Sequence, residues 1–570
     1  MTTLNLIADP TTDPNVVQMQ PGDEEVVLVP DWDGVDLTVD VLTSTNTFVF
    51  TGAFKSGTLT FTTDTGFLGV QNSSNNDATG FAGAFNVSVE RADLVFDGRF
   101  DTNAFLRAEV TGGGNTITIA EDADVIARFD ISDRDVADLK AVLSGRTTGI
   151  GDTLALVNDG GVLLESIDGG PSLVVRDMDR FVLTNSGTFD AAADIEQVLF
   201  TRIDNSGTFQ GALDLDFGGR LVVTNTGNWG AAVLGSGDDD LVRSNGSWTG
   251  AVIDLSLGDD RFDMRGGTGA GFQGRGAPDT APVQLLGDAG DDTYLVDGMA
   301  GATTGFVVVE ESGRGFDSIL SNSSYILPEH VERLVLLGTG DGTGNGLDNV
   351  IVGSGTANLL EGQGGADLLV GGGGADTLNG GAGDDRLVLG AGGGTVNGGA
   401  DHDRLILTRA TGGVTVDLGA GTGTTAGGNA IAVTGVEDII GSAFGDRLTG
   451  TAGANLIRGG EGDDVITGGG GGDRLFGGDG ADVFVFTAID ENRGRVLDFE
   501  QGTDLLSFAG LGLSFVNTAG FSGTGAELRQ VSASGGTDSV VQVDLTGDRI
   551  AEFSIYIHGV SSLVLSDLIL

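Results

Sequence analysis

The stretch from Gly344 to Ile406 reads as seven consecutive nine-residue units with no insertion: GNGLDNVIV, GSGTANLLE, GQGGADLLV, GGGGADTLN, GGAGDDRLV, LGAGGGTVN and GGADHDRLI. The sixth position is Asn349, Asn358, Asp367, Asp376, Asp385, Gly394 and Asp403 in turn, and the eighth is always aliphatic, from Ile351 to Leu405. Five more units keep this frame from Gly441 to Val485: GSAFGDRLT, GTAGANLIR, GGEGDDVIT, GGGGGDRLF and GGDGADVFV. A flexible linker needs no apolar residue at every ninth place, so the period describes a folded repeat.

Each position has a physical reason. Glycine tolerates φ > 0, which makes the first half of each unit a tight turn whose carbonyls can point at one spot. The apolar residue at position eight belongs to a very short strand with one buried side chain. Two units then make one coil, and stacked coils stand at the usual strand separation of roughly 4.8 Å. Carboxylates stacked that closely repel one another unless a cation sits between them. A donor set made of oxygens, with no cysteine and three histidines in the chain, selects a hard cation, and a flexible many-oxygen cage favours calcium over magnesium.

The pattern resembles the glycine- and aspartate-rich nonapeptide of RTX proteins, a calcium-loaded parallel β-roll. That resemblance implies that calcium lies between turns of neighbouring coils, held by the position-six carboxylate and by backbone carbonyls near positions two and four. Carried onto this chain, the sets are Gly372, Gly374 and Asp376; Gly381, Gly383 and Asp385; Gly460, Gly462 and Asp464; Gly469, Gly471 and Asp473; and Gly478, Gly480 and Asp482. Gly365 with Asp367, Gly399 with Asp403, Asp446, and Gly290 with Asp292 join them, although Gln363 and Asp401 stand where glycine is usual. Asn349, Asn358 and Asn455 keep an oxygen but lose the charge, so weaker binding is expected there, and Gly394 supplies no carboxylate.

The whole chain bounds the rest. Its 570 residues, 39% of them hydrophobic, can fill sizeable cores in about three or four domains. The formal net charge of −54 argues against nucleic acid as a partner and for divalent cations. Without cysteine, any stapling outside the cell falls to metal. The opening MTTLNLIADPTTDP has neither the basic nor the apolar region of an export signal, and no apolar run is long enough to span a bilayer. The ending SSLVLSDLIL resembles the uncleaved signal of type I secreted RTX proteins.

Taken in order, residues 1–175 read as an N-terminal β-rich domain, with one helix expected where Ser132 caps SDRDVADLKAVLSG and Gly145 stops it. Over 176–275, Asn185, Asn205, Asn225 and Asn245 recur at 20-residue spacing, mostly ahead of Phe189, Phe209 or Trp229, which predicts a β-solenoid with a stacked asparagine ladder. Degenerate calcium-type units overlap it: LGSGDDDLV around Asp239, LSLGDDRFD around Asp260 and GDAGDDTYL around Asp292. Residues 276–343 hold that last unit and a connector of the kind RTX proteins use. The first roll then spans 344–406, an inter-roll connector 407–440, the second roll 441–485, and a C-terminal cap with the secretion signal 486–570.

The expected fold is all-β: an elongated parallel β-solenoid continuing into a calcium-loaded RTX β-roll, with an N-terminal β domain and a C-terminal cap. No enzyme is expected. His330, His402 and His558 lie in no H-E-x-x-H, no G-x-S-x-G is present, and residues 1–293 contain no Tyr or His for proton transfer at a sugar. The chain is similar to RTX-bearing bacterial surface-layer proteins. This implies a secreted, extracellular protein of a Gram-negative bacterium that folds with several Ca2+ ions and self-assembles at the cell surface or in the matrix. It also implies a partner surface in other copies of itself, and an N-terminal region anchored to surface glycan or lipopolysaccharide. The alternative is a polysaccharide-active enzyme of epimerase or lyase type, or a carbohydrate-binding adhesin, using the solenoid face.

Overall fold

In the computed structural model, residues up to 176 are described as strands only, from Thr3–Asn5 to Leu173–Arg176. From residue 180 the description runs to Leu570 except at 187, 191, 197, 217–218, 231, 250–251, 266–267, 270–282, 297–305, 488–493 and 534. Among the described residues the only helix is a 3-10 turn, Leu565–Asp567. The rest is strand, turn and bend, and the chain divides into two units, with Asp317 closing the first and Ser318 to Leu570 in the second.

The first unit is a parallel β-solenoid. One ladder joins strands from Val16–Met19 to Phe306–Val309, and Leu173–Arg176, at the sequence boundary drawn near 175, pairs in parallel on both sides. The helix expected after Ser132 is a strand over Leu139–Ser144, the part of that segment the structure describes. It pairs in parallel with Asn115–Ile119 and Leu173–Arg176. Its helical apolar spacing is local, and ladder pairing on both edges overrides it.

From Gly161 onward the coils have three faces, the third formed by short strands from Gly161–Leu163 to Thr268–Gly269. The 20-residue period is the length of one coil. Leu183, Ile203, Val223 and Val242 are in register and fully buried. Phe189, Phe209, Trp229 and Trp248 stack as one column, with ring centroids 4.9, 4.2 and 5.0 Å apart. The asparagine ladder runs beside them: Asn185 Nδ2 donates to Asn205 Oδ1 at 2.7 Å, and Asn205 Nδ2 to Asn225 Oδ1 at 2.7 Å. The next step is Asn225 Nδ2 to Ser244 Oγ at 3.2 Å, across 19 residues. This coil is one residue shorter, so Ser244 takes the ladder position and the expected Asn245 lies exposed.

The second unit alternates nonapeptide strands between two parallel sheets, each strand pairing with the one 18 residues on, as in Ile351↔Leu369 and Leu360↔Leu378. Ile351, Leu360, Leu369, Leu378, Leu387, Val396, Leu405, Leu448, Ile457, Ile466 and Phe484 are all 0% exposed, which makes position eight the core of the roll. Between the two runs, Thr415–Asp417, Thr422–Thr424 and Ala430–Thr434 form antiparallel pairs inside one sheet, and stacking resumes across a wider gap at Leu405↔Ile439. At the far end, Glu527–Ser532, Ser539–Asp544 and Phe553–Ile557 form an antiparallel sheet that joins the roll through Arg495–Val496. Leu568–Ile569, within the segment resembling a secretion signal, adds in parallel to Leu505–Ser507. Such additions cover strand edges that would otherwise template aggregation.

Candidate metal centre

Seven of the twelve roll turns are built on two backbone reversals. Positions two and four have positive φ in the units containing Asp367 (Gln363 +80°, Gly365 +101°), Asp376 (Gly372 +92°, Gly374 +94°), Asp385 (Gly381 +122°, Gly383 +121°) and Asp403 (Gly399 +122°, Asp401 +79°). The same holds for Gly460 and Gly462, Gly469 and Gly471, and Gly478 and Gly480, ahead of Asp464, Asp473 and Asp482. Non-glycine residues take this conformation rarely, yet Gln363 and Asp401 follow the frame.

Position one is glycine for a different reason. Its φ is ordinary, but a Cβ on Gly380 would lie 2.1 Å from Asp385 Oδ2 and 2.5 Å from the Gly398 carbonyl oxygen of the next coil. Gly362 over Asp367, Gly459 over Asp464 and Gly477 over Asp482 are equally close, at 2.1, 1.8 and 2.0 Å. The side chain of position six therefore folds back over its own turn into a space that only glycine leaves open.

The carboxylates at position six are buried, and one oxygen of each is engaged. Backbone N–H groups of Asn349, Asn358, Asp367 and Asp385 donate to Oδ1 of Asp367, Asp376, Asp385 and Asp403 at 2.7, 3.0, 2.8 and 2.9 Å. In the second run those of Asp446, Asn455 and Asp464 donate to Oδ1 of Asp464, Asp473 and Asp482 at 2.7, 2.9 and 2.9 Å. Asp504, beyond the last nonapeptide, continues the row by accepting from Asp482 N at 3.0 Å. The other oxygen, Oδ2, is buried with no hydrogen-bond partner in Asp367, Asp376, Asp385, Asp403, Asp464 and Asp482, and likewise in Asp260 and Asp292 of the first unit. Buried oxygens without a partner are costly and rare, and a row of them at one coil spacing fits a set of cation sites.

The protonation energetics agree. Burial, followed in most by neighbouring carboxylates, pushes Asp367, Asp464 and Asp292 up to about 7, and Asp403 and Asp482 to about 6. Burial also raises Asp473 to about 6, and raises Asp376 and Asp385. A divalent cation supplies the missing charge and takes the unpartnered oxygens, and an all-oxygen donor set in flexible turns suits calcium.

Turns whose position two lacks positive φ are closed instead, by that residue's own backbone N–H. Ser442 donates its N–H to Asp446 Oδ2 at 2.6 Å and its hydroxyl to Oδ1 at 2.8 Å, so both oxygens of Asp446 are engaged within the chain. Asn349, Asn358 and Asn455 each accept the position-two N–H, from Asn345, Ser354 and Thr451, at 2.8, 2.7 and 2.7 Å. Opposite Gly394, the Asp376 N–H turns to the Gly393 carbonyl at 3.3 Å. In LGSGDDDLV the buried carboxylate is Asp240, not the Asp239 expected, because Val242 is the core residue and fixes the frame. Ser236 closes that turn too, by an N–H to Asp240 Oδ2 at 2.8 Å.

A second acidic row was missed in sequence. Position-five aspartates accept the position-five N–H one coil on: Asp348 from Ala366 at 2.7 Å, Asp384 from His402 at 3.0 Å and Asp463 from Ala481 at 2.9 Å, all exposed. The signal was an aspartate directly before position six, in Asp348-Asn349, Asp384-Asp385 and Asp463-Asp464. Glu437 was missed as well; it accepts the Asp403 N–H at 2.9 Å and stands in for a position-six carboxylate where the inter-roll segment interrupts the frame.

Comparison with known proteins agrees with this geometry. The RTX calcium-binding nonapeptide repeat (4 copies) matches residues 343–378, 361–396, 370–405, 440–475 and 449–484. The chain therefore carries RTX calcium-binding repeats, and such repeats bind calcium in multiple copies. No curated protein matches significantly. Among solved structures, the extracellular lipase LipA from Serratia marcescens is similar at 16% identity over 45% of this chain and 45% of that one, with a TM-score of 0.15. The matched span is less than half of that chain, and so weak a likeness says nothing about activity.

Proposed function

We propose that this chain is a secreted structural protein that folds on meeting calcium outside the cell and then assembles with copies of itself at a bacterial surface or in the extracellular matrix. The observation that carries the calcium-driven step is the row of buried, unpartnered Oδ2 atoms from Asp367 to Asp482. At the low calcium of a cytosol, a Gly-rich chain with net charge −54 repels itself and stays extended. At extracellular calcium each filled site adds about 1 to 3 kcal/mol, for concentrations roughly ten to a hundred times Kd.

Assembly is supported by the exposed position-five row, Asp348, Asp384 and Asp463, which leaves carboxylates on the outside of the roll where calcium can bridge molecules. The absence of protease and lipase motifs from the sequence supports a non-enzymatic role. Among the described residues no helix is long and apolar enough to cross a membrane. Anchoring to surface glycan or lipopolysaccharide is assigned to the N-terminal region on the surface-layer resemblance.

Negative-stain imaging with light scattering tests the assembly step, on protein titrated from chelator into millimolar calcium. Sheets or filaments appearing with calcium support it. A folded monomer at every calcium concentration overturns it and shifts the choice to the adhesin or polysaccharide-active alternative.

A further inference from the structure

The first unit contains a carboxylate cluster that the nonapeptide pattern does not predict. Asp292 occupies position six of GDAGDDTYL, while Glu310 follows the strand Phe306–Val309 and Asp317 ends the unit. One carboxylate oxygen from each lies within 4.8 Å of the other two, and the three residues are 1, 7 and 2% exposed.

Each carboxylate is oriented by another bond. Asp260 N donates to Asp292 Oδ1 at 2.7 Å, Asp292 N donates to Asp317 Oδ1 at 2.9 Å, and the buried Tyr294 hydroxyl donates to Glu310 Oε1. Asp292 Oδ2 and Glu310 Oε2 are left buried without a partner. Room is kept by Gly287, where a Cβ would lie 2.1 Å from Asp292 Oδ2 and 2.6 Å from the Tyr294 hydroxyl. Positive φ at Asp288 and Gly290, +63° and +140°, gives this turn the same reversals as the roll turns.

We propose that Asp292, Glu310 and Asp317 form a closed, three-carboxylate site for a hard divalent cation, calcium, with Tyr294 as the residue that positions Glu310. The site differs in kind from the roll turns. There each position-six carboxylate leaves one oxygen over its own turn, whereas here Glu310 comes from outside the row to join two successive members of it, Asp292 and Asp317. Three carboxylates concentrate more negative charge on one ion than a roll turn does, and affinity rises with ligand charge. The site therefore fills at lower calcium than the roll. It also ties Glu310 and Asp317, the last stretch of the first unit, to the coil that carries Asp292. Only the choice of ion rests on the calcium assignment made for the roll.

The experiment is a count of bound calcium by equilibrium dialysis on the full chain, wild type against Glu310→Gln, joined to terbium luminescence excited through tyrosine, wild type against Tyr294→Phe. Glu310→Gln is expected to bind one ion fewer per chain and to lose the tightest step of the titration. Tyr294→Phe is expected to weaken that tightest step, because Glu310 loses the hydroxyl that positions it, and to lose the terbium emission that appears first in the wild type, because its ring touches the site. An unchanged count in Glu310→Gln means protons, not calcium, neutralise the cluster, and overturns the proposal. If Glu310→Gln does not fold, Tyr294→Phe decides alone, and unchanged emission overturns the proposal. A wild type that binds no calcium at all contradicts the roll assignment instead, so the two failures are distinguishable.

Discussion

Asp385 accepts the backbone N–H of Asp367, one coil earlier, at 2.8 Å through Oδ1 and holds Oδ2 buried and unpartnered over its own turn. One carboxylate thus sets the coil register and presents an oxygen to a cation. Asp385→Asn keeps an acceptor for the ladder but removes the charge. It is expected to raise the calcium midpoint of folding and to lower stability at saturating calcium by about 1 to 3 kcal/mol, one site's share. Urea unfolding at saturating calcium, beside the calcium midpoint of folding read by far-UV circular dichroism, checks this.

Gly380 tests the second requirement. Its φ is ordinary, so the usual argument about glycine predicts that alanine is tolerated there. The Cβ would nevertheless lie 2.1 Å from Asp385 Oδ2. Gly380→Ala is expected to weaken calcium binding as much as Asp385→Asn and to cost about 1 to 3 kcal/mol through overpacking. Gly346→Ala, with open space at its Cβ, should change stability by less than about 0.5 kcal/mol. Calcium titrations followed by far-UV circular dichroism separate the two.

Closed turns should be convertible. The Asp446 turn is satisfied by Ser442, so Ser442→Gly with Phe444→Gly restores the glycines of the open turns and frees Oδ2. The double variant is expected to bind one more calcium ion per chain than wild type, read by equilibrium dialysis. An unchanged count shows that position two does not decide occupancy.

The sign of the pH effect depends on calcium. Folded-state values of about 7 for Asp367 and Asp464 lie above the ordinary 3.8. Between these limits the calcium-free folded state holds protons that the unfolded chain has released, so stability falls as pH rises from about 4 to 7. Calcium binds the ionised form, so protons compete with it and its apparent affinity weakens as pH falls below about 7. In chelator the chain should show more β structure by far-UV circular dichroism at about pH 5 than at about pH 8, while the calcium midpoint of folding should be lower at about pH 8.

The asparagine ladder predicts a calcium-independent defect. Asn205 accepts from Asn185 and donates to Asn225, each at 2.7 Å, inside the solenoid wall. Asn205→Ala leaves Asn225 Oδ1 without its donor and Asn185 Nδ2 with the Thr208 carbonyl, and is expected to cost about 1 to 3 kcal/mol. Trp229 and Trp248, in the adjacent column, report the loss by fluorescence during urea unfolding at saturating calcium.

Much of this was legible because it is periodic. Leu369, Leu387 and Leu405 recur at twice nine residues, and that spacing is the coil itself. What failed was local or aperiodic. Leu139–Ser144 has a helical apolar spacing, and only the strands on either side of it reveal a ladder. Ser244 replaced Asn245 because a single residue is missing from one coil, which no constant period anticipates. Ser442 closes the Asp446 turn through its own N–H, a consequence of φ at position two rather than of the conspicuous aspartate. Glu310 belongs to no repeat, and only the fold brings it to Asp292 and Asp317.

The most direct measurement is far-UV circular dichroism with small-angle scattering on the full chain, titrated from chelator to millimolar calcium near neutral pH. The predicted result is a cooperative change from an expanded, largely unfolded chain to a compact β-rich one. Equal β content and equal dimensions with and without calcium would contradict it, because the buried oxygens of Asp367 to Asp482 would then need no cation.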